Sequence, residues 1–150
     1  MPPPDRKRLA RLQRLEKVRA IARQSAAAES AAAEGTLAQL IALAERTGRM
    51  AQDYGTRRDV ADGAALRQMT QFRAGLEGVS EGTRNDAAKA RTLADAKMRE
   101  LSEAERRRQA AEDRARAEAK AIALSGQQTP LGTRANGKNG HLARGLNRDG

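Results

Sequence analysis

Four prolines stand in this chain, at positions 2, 3, 4 and 130, and none between Asp5 and Thr129. Nothing in that run deletes a backbone donor or fixes φ against a helix, so very long helices are permitted. Pro2–Pro4 followed by Asp5 reads as a stop and then an N-cap, with the Asp carboxylate accepting from the first free amides. Large aromatic and aliphatic side chains, the usual material of a compact core, are scarce: aromatics are 1% of the 150 residues. A thick layered fold is therefore excluded. Alanine, leucine, arginine and glutamate dominate, the composition of long helices and coiled coils.

From Leu15 a seam of small and apolar residues runs through Val18, Ala22, Ser25, Ala28, Ala32, Thr36, Leu40, Leu43, Thr47, Met50 and Tyr54. Every step is 3 or 4, close to a heptad repeat. Through AAAESAAAEG alanine lies on nearly every face, and the register there is the least determined. DYGTRRDVADG, residues 53–63, brackets charged, turn-favouring residues between glycines and reads as the loop of a helical hairpin, with Asp59 or Asp62 as the next cap. The second seam is Leu66, Met69, Phe72, Leu76, Val79, Thr83, Ala87, Ala90, Ala94, Met98 and Leu101. EAERRRQAAEDRARAEAK follows, laced with opposite charges four residues apart: Glu103–Arg107, Glu112–Arg116 and Arg114–Glu118.

The expectation is an all-α fold: a long antiparallel two-helix coiled-coil hairpin over 1–125, with helices at 5–53 and 64–125, a loop at 54–63, and a disordered basic C-terminal tail over 126–150. Antiparallel pairing follows from the short connection. The basic opening and the arginine-rich end of the second helix then lie together. Gly35, Gly48, Gly75, Gly78 and Gly82 interrupt the helices at about 1 kcal/mol each relative to alanine, so a partner is expected to complete the hairpin.

Several classes of chemistry are excluded. With no cysteine there is neither disulfide nor thiolate metal site. GTRANGKNG lacks the Ser or Thr of a phosphate-binding loop and has no preceding strand. His141, the single histidine, sits in the tail. Carboxylates alternate with basic residues on helix surfaces, and nothing places two of them in a dry pocket for acid–base work. The reading is a non-enzyme with no catalytic residues, metal, cofactor or small-molecule substrate. No apolar run approaches the roughly 20 residues that span a bilayer, and the basic start lacks the apolar core of a secretory signal; a cytoplasmic protein is expected.

Two stretches are candidate binding surfaces. RLARLQRLEKVRAIAR, residues 8–23, carries five arginines and one lysine against one glutamate. Nucleic acid is one reading, since basic helices contact phosphates, but no aromatic is present for stacking on single strands. Its apolar residues recur every three positions, which winds around a helix and fits docking to protein better than a flat membrane. The second stretch is Phe72, Leu76, Val79 and Thr83, at helical spacing and flanked by the bare stripe Gly75, Gly78, Gly82. It suits either packing against Leu37–Met50 or a partner that approaches closely.

In overall form the chain resembles the flagellar FliJ-type export proteins and, more distantly, the stalk proteins of virulence type III secretion. The basic start RLARLQRLEKVRAIAR, the alanine-rich first helix, the mid-chain turn, the second helix with FRAGLEGVSEGT and the taper AERRRQAAEDRARAEAKA carry the resemblance, over about residues 5–125. It implies a coiled-coil stalk that binds a hexameric export ATPase and an export-gate membrane protein, assists export chaperones, serves flagellum biogenesis and motility, and lies peripherally at the inner face of the cytoplasmic membrane. It implies gate contact at Phe72, Leu76, Val79 and Thr83, and ring contact at Leu9, Arg11, Leu12, Arg14, Leu15, Val18 and Arg19. The rival readings are a basic nucleic-acid-binding coiled coil and a self-associating scaffold.

Overall fold

The computed structural model describes residues 3–57 and 61–132. They form two helices, α1 (Arg6–Thr56) and α2 (Gly63–Gly132). Both N-termini are capped by aspartate. Asp5 Oδ1 accepts from the Lys7 amide at 2.9 Å, and Asp62 Oδ1 accepts from the Ala65 amide at 2.8 Å. Each satisfies a donor that has no partner within its helix. Asp59, the other candidate cap, lies outside the described residues. So does most of the expected tail, although α2 continues beyond the expected stop at Ser125–Gly126 to Gly132. A helical glycine costs only about 1 kcal/mol, so Gly126 does not by itself stop the helix.

The two helices contribute to two compact units: Lys17–Gln109, and Met1–Glu16 with Ala110–Gly150. Within the Lys17–Gln109 unit the helices run antiparallel, as Glu29–Lys97, Ala44–Ser80 and Tyr54–Phe72 contacts show. The core is built from small side chains. Leu37, Ala87 and Ala94 are buried, with Ala33, Leu40, Ile41 and Ala90 packed against them. Ala44, Ala51, Ser30, Thr47, Ser80 and Thr83 complete the buried seam.

Three polar members of that seam, Thr47, Ser80 and Thr83, are hydrogen-bonded. Thr47 and Thr83 hydroxyls donate back to Leu43 and Val79 carbonyls at 2.9 and 2.7 Å. Ser80 Oγ donates across to the Ala44 carbonyl at 2.9 Å. A side chain as short as serine reaches the opposite backbone only where the helices come close. Gly48 lies beside this point: a Cβ added there would sit 3.3 Å from Ser80 Oγ.

Of the second-helix seam, Met69, Leu76, Thr83, Ala87, Ala90, Ala94 and Leu101 are buried or half-buried, whereas Leu66, Phe72, Val79 and Met98 are exposed. The first is displaced. Leu15, Leu40, Thr47 and Tyr54 face inward, but Val18, Ala22, Ser25, Ala28, Ala32, Thr36, Leu43 and Met50 are exposed. Their places are taken by Ser30, Ala33, Leu37, Ala44 and Ala51. Weighting large residues toward the core misplaces a seam that packs closely through its smallest side chains.

In the other unit Ala111 and Ala115 are buried, and Leu9, Leu12 and Leu15 are half-buried. Glu118 ties α2 to the start of α1 in this unit: it accepts from the Asp5 amide at 2.9 Å and pairs with Arg8 at 3.8 Å. The charge ladder on α2 forms at Glu103–Arg107 and Glu112–Arg116. Glu118, expected to pair with Arg114, is instead engaged across helices by Arg8. No helix of the described residues is long and apolar enough to cross a membrane.

Candidate functional site

The four residues of the α2 stripe divide into two pairs. Leu76 is half-buried and Thr83 is buried, both on the seam against α1. Phe72 and Val79 are 49% and 53% exposed. The Phe72 and Tyr54 rings meet in a T-shaped contact, with centroids 4.8 Å apart, and the Arg57 guanidinium lies over the Tyr54 ring at 4.5 Å from its centroid. The facing residue for Phe72 is therefore Tyr54, beyond the Leu37–Met50 segment that the sequence suggests. Phe72 packs against Tyr54 while about half of it stays exposed.

More large apolar side chains share that flank. Thr36 and Leu93 line one cleft between the helices, with Ala32, Ala33 and Ala90. Leu43 and Met50 follow Thr36 at multiples of seven, and Val79 and Phe72 precede Leu93 in the same way. In an antiparallel heptad pair these positions lie along one side. Leu43, Met50 and Leu93 are 46%, 40% and 53% exposed. The opposite side is polar: Glu45, Arg49, Gln52, Glu77 and Arg84 border an open groove of about 710 Å³. Sequence reasoning located Phe72 and Val79 but placed Leu43 and Met50 in the core. The signal that separates them is the unbroken seven-residue repeat Ser30, Leu37, Ala44, Ala51, one position along from Leu43 and Met50.

The basic opening is likewise two-sided. In the unit built from the chain start and the end of α2, Arg11 and Arg14 are exposed while Leu9, Leu12 and Leu15 are half-buried. The leucines are used in helix packing, and the two arginines are free to meet a partner. In the other unit Val18 is 61% exposed and Arg19 half-buried.

Two cross-helix ion pairs in the Lys17–Gln109 unit link α1 to α2. Arg23 donates to Glu105 at 2.7 Å, and Lys97 donates to Glu29 at 3.3 Å. The Glu105 carboxyl is held below its ordinary value, chiefly by the hydrogen bond from Arg108 and further by Arg23. Lys97 is held above its ordinary value by its hydrogen bonds to Glu100 and then Glu29. Both are surface groups, and exposed ion pairs of this kind add little to stability.

Compared with known protein families, with curated proteins and with solved structures, the chain matches none.

Proposed function

We propose that this chain is a non-enzymatic coiled-coil adaptor of flagellar type III protein export, joining a hexameric export ATPase to an export-gate protein. The resemblance over residues 5–125 supplies the system. The observation that carries the docking role is the exposed pair Phe72 and Val79, held on α2 beside a seam too small to need them. The seam residues Leu76 and Thr83 support that surface from behind, and gate binding is assigned to Phe72 and Val79. Arg11 and Arg14 meet the ring; Leu9, Leu12 and Leu15 hold them in place. The protein works in the cytoplasm, peripheral to the membrane, and assists cycling of export chaperones.

The test is binding of the full chain to the purified ATPase ring and to the soluble part of the gate. Arg11→Glu with Arg14→Glu is expected to weaken ring binding at least tenfold with helicity unchanged. Phe72→Ala with Val79→Ala is expected to weaken gate binding by as much. Wild-type protein that binds neither component would overturn the reading. Tight DNA binding that falls steeply with salt would replace it with the nucleic-acid reading.

A further inference from the structure

The flank that carries Phe72 and Val79 also carries two glycines. At 100° per residue Phe72, Gly75, Val79 and Gly82 lie within a quarter-turn of one another on α2. A Cβ added at Gly75 or Gly82 would meet nothing within 4 Å. Packing inside the chain therefore does not require glycine at either position, although each weakens the helix by about 1 kcal/mol. The order along the stripe is large, small, large, small. Reversed end to end, it becomes small, large, small, large. An antiparallel copy of the same stripe thus fits it as bulk to gap at every level: Phe72 opposite Gly82, Gly75 opposite Val79, and the reverse pair by symmetry.

We infer that two copies of this chain associate through this flank of α2 about a two-fold axis, each Phe72 seated in the space left by Gly82 of the second copy. A contact that is self-complementary under reversal closes as a symmetric dimer. Charge permits it. The chain carries a net +10, yet Gln68, Gln71, Phe72, Gly75, Val79 and Gly82 form an uncharged window along this side of the helix. In the bulk-to-gap register Asp86, the nearest acid on the stripe, falls opposite Gln68 and meets no like charge. Apolar area permits a contact of modest size: Leu43 and Met50 border the window from α1, so symmetry brings eight half-exposed large side chains together. That is the lower end of what a specific interface needs, and the dimer is expected in the micromolar range. Pairing and gate binding would use the same side chains and exclude each other. The pairing is argued from this flank alone and stands independently of the export reading.

Sedimentation equilibrium of the full chain, from low micromolar to several hundred micromolar, tests it. The mass is expected to rise toward twice the 16.2 kDa of one chain. Added salt should leave the association unchanged or strengthen it, because screening reduces repulsion between like-charged copies. Gly75→Leu with Gly82→Leu fills the gaps and favours the helix, and its new Cβ atoms meet nothing within 4 Å in the single chain. It is expected to stay at one chain mass with undiminished helicity by circular dichroism. Gly82→Phe with Phe72→Ala moves the bulk to the complementary position and is expected to restore association that Gly82→Phe alone abolishes. A wild-type chain that stays monomeric throughout, a species larger than two chains, or a Gly75→Leu/Gly82→Leu variant that associates like wild type would each overturn the proposal.

Discussion

Ala94 and Leu93 are neighbours on α2, and they invert the usual rule of burial: the alanine is 1% exposed and the leucine 53%. The same inversion recurs at Ala44 beside Leu43, at Ala51 beside Met50 and at Ser80 beside Val79. Most buried side chains of the Lys17–Gln109 unit are alanine, serine or threonine, with Leu37 among them, and the flank beside them carries exposed large apolar side chains. The difference teaches that helix approach, more than apolar area, decides the contact between α1 and α2. Small side chains bring the backbones close enough for Ser80 to reach the Ala44 carbonyl. The apolar bulk is left available for something else.

The largest effect should come from erasing that difference. Ala94→Leu forces volume into the closed seam and is expected to cost about 1–3 kcal/mol in urea unfolding. Leu93→Ala, one residue away, is expected to cost less than about 1 kcal/mol, because half its surface is already in water. Equal costs would dissolve the distinction between seam and flank. Next is Ser80→Ala, which removes the hydrogen bond from Ser80 Oγ to the Ala44 carbonyl across the buried seam and should cost about 0.5–1.5 kcal/mol. A neutral result would mean that close approach does not depend on that bond.

Glycines sharpen the comparison further. At concentrations low enough for single chains, Gly75→Ala and Gly82→Ala should each raise stability by up to about 1 kcal/mol. Gly48→Ala should gain less or lose, since its new Cβ would press on Ser80 Oγ at 3.3 Å. A thermal melt that ranks Gly48→Ala above the flank variants would place the close contact elsewhere.

The smallest effects are electrostatic and lie at the edge of the seam. Because the Glu105 carboxyl is depressed in the folded chain, its contribution is present above the ordinary carboxylate value of 4.5 and is lost as pH falls through the depressed one. Lys97 has the opposite sign: its contribution is complete below 10.5 and is lost as pH rises through the raised value. Glu105→Gln should therefore lower the melting temperature slightly near neutral pH, and the difference should vanish in strong acid. A difference that persists unchanged in acid would show that the carboxylate charge is not responsible.

The existence of two long helices, their caps at Asp5 and Asp62 and the turn between them were legible because they rest on local rules. The absence of proline and the capping chemistry of aspartate act within a few residues. The second seam was legible too, since Thr83, Ala87, Ala90 and Ala94 repeat with little competition. The first seam was not. Around AAAESAAAEG and again at Leu40–Ala44, two adjacent heptad positions are both apolar, and hydrophobicity favours the larger. Of the candidate surface, Phe72 and Val79 were recognisable from spacing, whereas Leu43 and Met50 looked like core.

The sequence by itself determined the helices, where they begin and that they fold back on each other. Which stripe of α1 faces inward was settled by the packing of the two helices. Periodicity defines a helix but fixes its rotation only when one stripe is more apolar than every other. Here the small stripe and the large stripe lie side by side. The choice between them depends on how closely two backbones can approach, a property that neither helix has alone.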